Sequence, residues 1–284
     1  MAPEVFGLVL FSAALHASWN FAVRSVKGDF AVVWLGSASA AALMSPVGLW
    51  LLWNDPSAFT PTLTAVLCVI GTGVSHAAYL GLLARAYRRG EISVIYPVAR
   101  GTGVGVTAIA ALFLFDEPLS ALGGLGVLLI VSGVLSLGLP LYRGGMSSSG
   151  FGLAIATGVS TSTYTLIDKI GVGLIDPILY VWFLYLLMTF LLIPVFRLRG
   201  RGLSERARSH LPHILLVGPG ALLTYLIILF AYQLGPVSYI AATREAAVIV
   251  GAALGIIFLG ERLTVAKGLA ICAIAAGLVC IKSA

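Results

Sequence analysis

Long apolar blocks run along the whole chain, and short clusters of Arg, Pro, Gly and acidic residues separate them. Each block has the roughly 20 apolar residues that a helix needs to cross a bilayer. In the first half the blocks are Pro3–Val23, Phe30–Trp53, Pro61–Tyr87, Ile92–Phe115 and Ser120–Pro140. In the second half they are Gly150–Val172, Pro177–Phe196, Leu211–Gln233, Val237–Gly260 and Leu263–Ile281. The pattern predicts an all-α membrane protein of ten transmembrane helices, whose only sizeable loop runs from Arg197 to His210.

Scarce polar residues recur along the chain at a nearly constant offset. Trp19 matches Tyr164 and Arg24 matches Lys169, each 145 residues later. After the loss of one residue, Arg100 matches Arg244 at an offset of 144. The same two offsets pair Ala86-Tyr87 with Ala231-Tyr232, Gly90 with Gly235, Ser93 with Ser238, Glu117 with Glu261, Gly124 with Gly268 and Gly133 with Gly277. An apolar chain matches Gly and Ala by chance but not Arg and Glu, so the pattern predicts two repeats, residues 1–145 and 146–284.

Each predicted repeat contains five helices, and this odd number fixes their relative orientation. The second repeat must enter the membrane in the direction opposite to the first. Inverted repeats of this kind are typical of secondary transporters, whose substrate site lies near the midplane between the two halves. We therefore expect two inverted five-helix repeats.

The basic residues are concentrated on one side of the predicted membrane span. Thirteen of the 17 Lys and Arg residues fall at the odd-numbered connections between helices. These are Arg24, Lys27, Arg85, Arg88, Arg89, Arg143, Arg197, Arg199, Arg201, Arg206, Arg208, Arg262 and Lys267. Lys169 and Lys282 fall on the other side. Because basic loops stay in the cytoplasm, the bias predicts that both termini lie outside, in a multi-pass protein of the bacterial inner membrane.

Composition agrees with a membrane location and gives no sign of a nucleic-acid partner. The chain is 60% hydrophobic and 10% charged, with a mean hydropathy of +1.05. The net charge of +6 is explained by the basic rim at the membrane surface. The three cysteines lie in apolar blocks without metal-ligand spacing, and no familiar catalytic motif occurs, so we expect neither metal nor cofactor. We interpret the first helix as a retained signal anchor.

Three charged residues, Arg100, Arg244 and Glu245, lie inside predicted spans. Burying such groups in hydrocarbon costs several kcal/mol unless they are paired or hydrated, so a functional role is the first hypothesis. An arginine fork suits a carboxylate, and Glu245 suits an ammonium group or a coupling proton. The alternatives are that the arginines lie shallow enough to reach the interface, or that one pairs with Glu245 as a structural tie.

Further polar and aromatic residues share faces of the predicted helices, which should point into the bundle. Helix 1 contributes His16, Trp19 and Asn20, helix 3 contributes Thr72, His76 and Tyr79, and helix 6 contributes Ser160, Tyr164 and Asp168. Helix 8 carries Tyr225 and Tyr232. The histidines could equally be packing residues. Trp53, Trp182 and Tyr142 near span ends are interpreted as interfacial anchors. Gly101, Gly103 and Gly105 predict close helix packing rather than a nucleotide-binding loop.

Several of these motifs resemble the ten-helix EamA-type permeases of the drug/metabolite transporter superfamily. The matching stretches are Leu15-His-Ala-Ser-Trp-Asn20, Ala86-Tyr87…Gly90…Ser93…Tyr96-Pro97…Arg100, Phe115-Asp-Glu-Pro-Leu-Ser120, Gly235-Pro-Val-Ser238 and Leu259-Gly-Glu-Arg-Leu-Thr264. The resemblance implies transport of small metabolites such as amino acids through a central cavity lined by helices 1, 3, 4, 6, 8 and 9. It also implies termini in the cytoplasm, whereas the charge bias predicts the reverse.

The sequence thus predicts a carrier, not an enzyme, that moves an amino acid or similar metabolite by alternating access, with export as the expected direction. A coupling proton is one option for driving the transport, and a monomer or homodimer is expected. The predicted substrate-binding residues are His16, Trp19, Asn20, His76, Tyr79, Tyr96, Arg100, Tyr164, Tyr225, Arg244 and Glu245. The alternatives are a carrier for another metabolite class, a channel, and a membrane enzyme acting on a lipid-linked substrate. An enzyme should gather its acid and base groups near one membrane face, whereas the candidates here are spread over both halves.

Overall fold

The structure, a computed structural model, describes residues 1–25, 30–138, 148–194 and 203–284. The helices of the first half are α1 (Pro3–Ser25), α2 (Phe30–Asn54), α3 (Leu63–Tyr87), α4 (Ile92–Leu114) and α5 (Ala121–Ser136). The helices of the second half are α6 (Ser148–Gly171), α7 (Pro177–Leu191), α8 (Leu211–Leu234), α9a (Val237–Thr243), α9b (Ala246–Leu259) and α10 (Val265–Ser283). A 3₁₀ turn at Pro56–Ala58 and a short helix at Leu203–Ser209 complete the described elements, and the sequence analysis had assigned neither. The membrane fold is therefore all-helical, as predicted.

The described helices differ in how well they suit a membrane span. Seven, counting α9a and α9b together, are long and apolar enough to cross a bilayer. Helices α5 and α7 are apolar but shorter, and α6 carries more polar residues than the other long helices. The predicted ends of helix 5 at Pro140 and of helix 7 at Phe196 lie outside the described residues. Helix α3 begins two residues later than predicted because Thr62 caps it, accepting a hydrogen bond from the Ala65 N–H at 3.2 Å.

The contacts made by helices of the first half are matched by contacts of the corresponding helices of the second half. Helix α3 packs on α6, and α1 packs on α8. Helix α4 also packs on α6, as α9b packs on α1, and the pairs α2–α7, α5–α10 and α4–α9a join the halves directly. If α1–α5 are interchanged with α6–α10 in order, the α3–α6 contact becomes α1–α8, and α4–α6 becomes α1–α9b. The three pairs α2–α7, α5–α10 and α4–α9a each map onto themselves. The predicted boundary between the repeats, near residue 145, lies outside the described residues, and the repeats themselves stay a prediction.

Helices α5 and α10 approach each other at glycines. A Cβ atom on Gly126 would lie 2.8 Å from the Gly277 carbonyl oxygen, and one on Gly277 would lie 2.6 Å from the Gly126 carbonyl oxygen. A Cβ atom on Gly133 of α5 would lie 3.0 Å from the carbonyl oxygen of Ala270. Small residues let the two backbones touch, which is how membrane helices associate without a hydrophobic driving force. The predicted close packing is confirmed at Gly101 and Gly103, where Cβ atoms would meet Leu135 and Thr161, but not at Gly105, where a Cβ atom would lie 3.9 Å from Val131.

The ninth predicted span is interrupted at the two charged residues it contains. Helix α9a ends at Thr243, and α9b starts at Ala246. Arg244 and Glu245 form the break, where both residues keep right-handed helical dihedral angles and hydrogen bonds to the third preceding residue replace those of the α-helix. Helix α4, which the predicted repeat matches to this span, runs through the matching position, Arg100, without interruption.

The helix ends define two faces of the bundle. The Arg-rich face carries Arg85, Arg88, Arg89, Arg208, Arg262 and Lys267, at the connections α3–α4, α7–α8 and α9–α10. The terminal face carries both chain ends and the connections α2–α3, α4–α5, α6–α7 and α8–α9. On the terminal face the Asp176 N–H donates to the Ala58 carbonyl oxygen at 2.9 Å, which ties two of these connections together.

Large apolar side chains cover the outside of the bundle. Trp53, Phe113 and Val265 are each about four-fifths exposed, as expected of residues that face lipid. The interpretation of Trp182 as an interfacial anchor is wrong. It is buried between α7 and α2, where its indole N–H donates to Ser45 Oγ at 3.1 Å and its ring fills the space beside Gly48. Tyr142, also interpreted as an anchor, lies outside the described residues.

Candidate functional site

Arg100 and Glu245 form an ion pair between the two halves of the molecule. The Arg100 Nε–H donates to Glu245 Oε2 at 3.3 Å, and a second guanidinium nitrogen of Arg100 donates to Glu245 Oε1. The Glu245 side chain is buried, and that of Arg100 is 11% exposed. Because a forked pair satisfies two hydrogen bonds at once, both charges are tolerated inside an apolar bundle.

This ion pair lies at the inner end of a cavity of about 1090 Å³. The mouth is formed by Glu91, Glu261 and Lys267, at the Arg-rich face. Arg100 lies nine residues beyond Glu91 along α4, which is roughly 13 Å deeper at 1.5 Å per residue. The cavity is therefore a pocket that opens at one face and ends at a pair of opposite charges.

The walls of the cavity are mainly apolar between the mouth and the ion pair. Apolar lining comes from Phe21, Pro97, Val134, Leu137, Ala247 and Val248, and polar lining comes from His16, Asn20, Ser93 and Tyr96. Such a wall suits the apolar part of a small amphiphilic molecule, while the few polar groups fix its orientation. The Asn20 amide donates to the His16 carbonyl oxygen at 2.8 Å, which orients this side chain along α1.

A second polar cluster lies behind the ion pair, around Asp168 of α6. Asp168 is fully buried and accepts hydrogen bonds from two tyrosine hydroxyls, Tyr180 at 2.8 Å and Tyr225. The Tyr180 hydroxyl also lies 3.4 Å from the Cys68 carbonyl oxygen, and the Tyr180 ring fills the space beside Gly171. The carboxylate is held by hydroxyl donors from α7 and α8, so it acts as a junction between three helices of the second half.

Aromatic rings pack around His76 of α3 next to this junction. The His76 ring stacks on Tyr164 with centroids 3.9 Å apart and meets Tyr225 edge-on at 5.3 Å. Tyr79 meets Tyr164 edge-on at 6.0 Å. His76 Nδ1 lies 2.9 Å from the Thr72 carbonyl oxygen, so one ring nitrogen is already engaged within its own helix. This arrangement is a packed core, and its residues do not line the large cavity.

Arg244 lies between the Arg100–Glu245 ion pair and the tyrosines around Asp168. Its guanidinium donates to the Tyr232 hydroxyl at 3.3 Å and lies 5.8 Å from the centre of the Tyr225 ring. Arg244 also lines a small cleft of about 10 Å³ together with Arg100 and Glu245, which gives room for roughly one water molecule. A path of polar groups therefore runs from the cavity through the ion pair to Asp168.

The structure brings together some of the predicted binding residues and separates others. Five of the predicted residues line the cavity: His16, Asn20, Tyr96, Arg100 and Glu245. Five lie in the cluster behind it: His76, Tyr79, Tyr164, Tyr225 and Arg244. Trp19 belongs to neither group, since it packs against Gly220 of α8 and edge-on against His16. The structural alternative for Glu245, a tie to an arginine, describes the geometry in this conformation.

Sequence reasoning missed several polar residues that the structure places at these positions. Asp168 was placed on a polar face but not among the binding residues, although a carboxylate inside a membrane helix is the same signal that singled out Glu245. Lys267 was assigned to a connection, Glu261 was noted only as the match of Glu117, and Glu91 was not considered, because nothing in the sequence says that the cavity opens beside them. Within the described ranges, no three His, Cys, Asp or Glu side chains are grouped as metal ligands would be.

The terminal face is closed by contacts between the halves. Glu117 of the α4–α5 connection accepts hydrogen bonds from the Val237 N–H at 2.7 Å, the Ser238 N–H at 3.1 Å and the Ser238 hydroxyl at 2.9 Å. Lys169, at the end of α6, donates to the carbonyl oxygens of Tyr232 at 2.5 Å and Gly235 at 3.0 Å. These bonds satisfy backbone groups at the end of α8 and the start of α9a.

Comparison with known proteins agrees with this architecture. The model of the EamA-like transporter family matches residues 148–283. A solved crystal structure aligns with 99% of this chain and 98% of its own length at a TM-score of 0.76 and 18% sequence identity, which shows a shared fold. No curated protein matches the chain. The second half of the chain therefore matches the EamA-like transporter family, and the whole chain shares the fold of a solved structure.

Proposed function

We propose that the protein carries a small zwitterionic metabolite, in the class of the amino acids, and that Arg100 and Glu245 hold its two charges. The observation that carries this proposal is the ion pair at the inner end of the cavity. A carboxylate of the cargo would take the place of Glu245 at Arg100, and its ammonium group would take the place of Arg100 at Glu245. The cargo thereby satisfies both buried charges when they separate.

The size and the lining of the cavity support the same class of cargo. A volume of about 1090 Å³ exceeds what one amino acid fills, so the cargo enters with water and settles at the charged end. The apolar wall between mouth and ion pair favours a side chain that is apolar or only weakly polar. An uncharged apolar molecule would leave the ion pair without compensation for its separation, because breaking a buried pair leaves an unpaired charge.

Alternating access between two inverted repeats, residues 1–145 and 146–284, is part of the proposal. It is supported by the exchange of contacts between helices five apart and by the position of the ion pair, which joins α4 to the start of α9b. Such a site lies near the middle of the membrane, and each half supplies one charge. Motion of one half against the other changes the Arg100–Glu245 distance directly.

We also propose that the Arg-rich face is cytoplasmic, with both termini outside a bacterial inner membrane. The positive-inside rule supports this orientation, and the cavity then opens to the cytoplasm. Cargo would be loaded from the cytoplasm and released outside, which is export.

Transport by the purified protein tests the proposed site. Uptake of labelled amino acids into proteoliposomes should fall at least tenfold in Arg100→Gln and in Glu245→Gln, since each removes a cargo charge partner. Glutamine keeps much of the side-chain volume, which matters because removing one partner of a buried ion pair costs about 3–5 kcal/mol of stability. Arg262→Gln, at an exposed position outside the cavity lining, is the matched control and should keep wild-type uptake. Wild-type uptake in both site variants would overturn the proposal, provided that wild type itself transports.

A further inference from the structure

The terminal face and the Arg-rich face each carry a glutamate and a serine at matching positions of the predicted repeats, and the two pairs are arranged differently. At the closed terminal face, Glu117 holds Ser238 through both its N–H and its hydroxyl. Ser238 is completely buried by this contact. The α4–α5 connection of the first half is thereby tied to the first turn of α9a.

The repeat counterparts of these residues lie at the open end. Glu261 corresponds to Glu117 at the offset of 144, and Ser93 corresponds to Ser238 at the offset of 145. Both counterparts line the cavity at the Arg-rich face. The Ser93 hydroxyl donates to Glu91 at 3.3 Å, and Glu261 accepts from Lys267 at 3.2 Å. The same two residue types are thus in contact at one face and apart at the other.

The first turn of α4 can accept the contact that α9a already makes. Its N-cap residue, Glu91, makes no side-chain capping hydrogen bond, whereas Glu117 satisfies the corresponding N–H groups of α9a. N–H groups in the first turn of a helix have no partner within the helix, so a carboxylate that reaches them is stabilised. Ile92 and Ser93 supply these groups in α4, at the positions of Val237 and Ser238.

Lys267 introduces a difference between the two ends. It pairs with Glu261 in the open arrangement, and 41% of its side chain is exposed. Its counterpart in the first half is Gly123, beside which the Tyr239 hydroxyl lies so close that a Cβ atom would overlap it. The lysine therefore competes with Ser93 for Glu261, and nothing at the position of Gly123 competes for Glu117.

We infer that Glu261 and Ser93 form the second gate of the transporter, which closes the cavity when Glu261 leaves Lys267 and binds the first turn of α4. In that state the Glu117–Ser238 contact opens, so the two carboxylates close opposite ends in turn. The inference rests on the proposed alternating access, and it adds the residues that close each end. Lys267 holds the cavity open at the Arg-rich face.

Disulfide trapping tests the gate without any cargo. In a protein with Cys68, Cys272 and Cys280 replaced by alanine, the pair Ser93→Cys and Glu261→Cys should crosslink under mild oxidation. A reporter thiol in the cavity, Val248→Cys, should then become inaccessible to a membrane-impermeant maleimide. The matched pair Glu117→Cys and Ser238→Cys should crosslink as well but leave the reporter accessible. Failure of the first pair to crosslink where the second does, or an accessible reporter after it crosslinks, would overturn the gate.

Single substitutions give an independent test, because those at the two faces should change the labelling rate of the reporter thiol differently. Glu117→Ala should slow labelling of the reporter, because it weakens the closed terminal face and favours the opposite state. The equilibrium should move about fivefold, as for the loss of one capping side chain. Glu261→Ala should label at least as fast as the parent, and Lys267→Ala should slow labelling. Equal labelling rates in all three folded variants would contradict the gate.

The two proposals fail separately in these experiments. Crosslinking of Ser93→Cys with Glu261→Cys, in a protein that transports no amino acid, would support the gate and refute the zwitterionic cargo. Amino-acid transport that is lost in Arg100→Gln but unchanged in Glu261→Ala would support the cargo site and refute the gate.

Discussion

Opposite charges at Arg100 and Glu245 face each other where the surrounding side chains are mostly apolar. Taking each charge out of water is unfavourable, and the forked hydrogen bonds between them offset that cost only while they stay together. A ligand with one charge of each sign can replace the pair, and a ligand with a single charge cannot. Under the proposed function, charge pairing at these two residues is the basis for selecting a zwitterion.

Asp168 is a buried carboxylate of a different kind, held by hydroxyl groups. Tyr225→Phe removes one of the two tyrosine donors to it and leaves a buried acceptor unsatisfied, so we expect a loss of about 1–3 kcal/mol in stability. Thermal unfolding in detergent measures this loss. Tyr185→Phe is the control, since Tyr185 is also buried and no hydrogen bond of its hydroxyl occurs among the described residues. Equal melting temperatures for the two variants would contradict the role given to the Asp168 junction.

Helices in this bundle are positioned by close contacts at glycine. Where α4 crosses α6, a Cβ atom on Gly158 would lie 2.5 Å from the Ala99 carbonyl oxygen. This crossing matters for the site because α4 carries Arg100, one residue beyond Ala99. A wider crossing would move the guanidinium relative to Glu245.

Alanine at two glycines of α6 should therefore have effects of opposite sign. Gly158→Ala should lower stability by about 1–3 kcal/mol, because backbone must move to admit the methyl group. Gly152→Ala, where nothing lies within 4 Å of the added Cβ, should raise it by up to about 1 kcal/mol through helix propensity. Thermal unfolding of the two variants under identical conditions checks both signs, and a stabilising Gly158→Ala would show that the crossing is looser than described.

At the scale of the element, apolar length predicted the helices well, and their ends were less predictable. The start of α3 depends on a single threonine cap, and the hydrophobic pattern contains no signal for the break between α9a and α9b. Trp182 shows the same limit. Its position near a span end is typical of an interfacial anchor, yet α2 supplies a hydroxyl partner and buries it.

Orientation in the membrane belongs to the whole molecule, and the proposed orientation rests on the charge bias. Asp55→Cys, exposed at the terminal face, should react with an impermeant maleimide in intact cells. Arg262→Cys, exposed at the Arg-rich face, should react only after permeabilisation. Both variants are made without the native cysteines. The reverse pattern would place the termini in the cytoplasm and make the cavity face outward.

The arrangement of the site could be predicted from the sequence only in part. Rare charges in apolar spans correctly marked Arg100, Arg244 and Glu245 as residues that must find partners, and the repeat placed them on related helices. Which arginine pairs with Glu245 could not be predicted, because both arginines are compatible with the pattern. Nor could the sequence show which end of the cavity is open. His76 and Tyr164 have the same residue types and spacing as lining residues, and only the packing of α3 on α6 places them behind the ion pair.

Ligand binding by the purified wild-type protein tests the account most directly. A thermal-shift titration would compare an apolar amino acid with the amine that lacks its carboxylate and with the acid that lacks its amino group. Because a ligand that binds only the folded protein raises its melting temperature, we expect the amino acid to stabilise wild type and the two analogues not to. The stabilisation should disappear in Arg100→Gln and persist in Arg262→Gln. Equal stabilisation by the amine or the acid, or an undiminished shift in Arg100→Gln, would contradict recognition of a zwitterion by the Arg100–Glu245 pair.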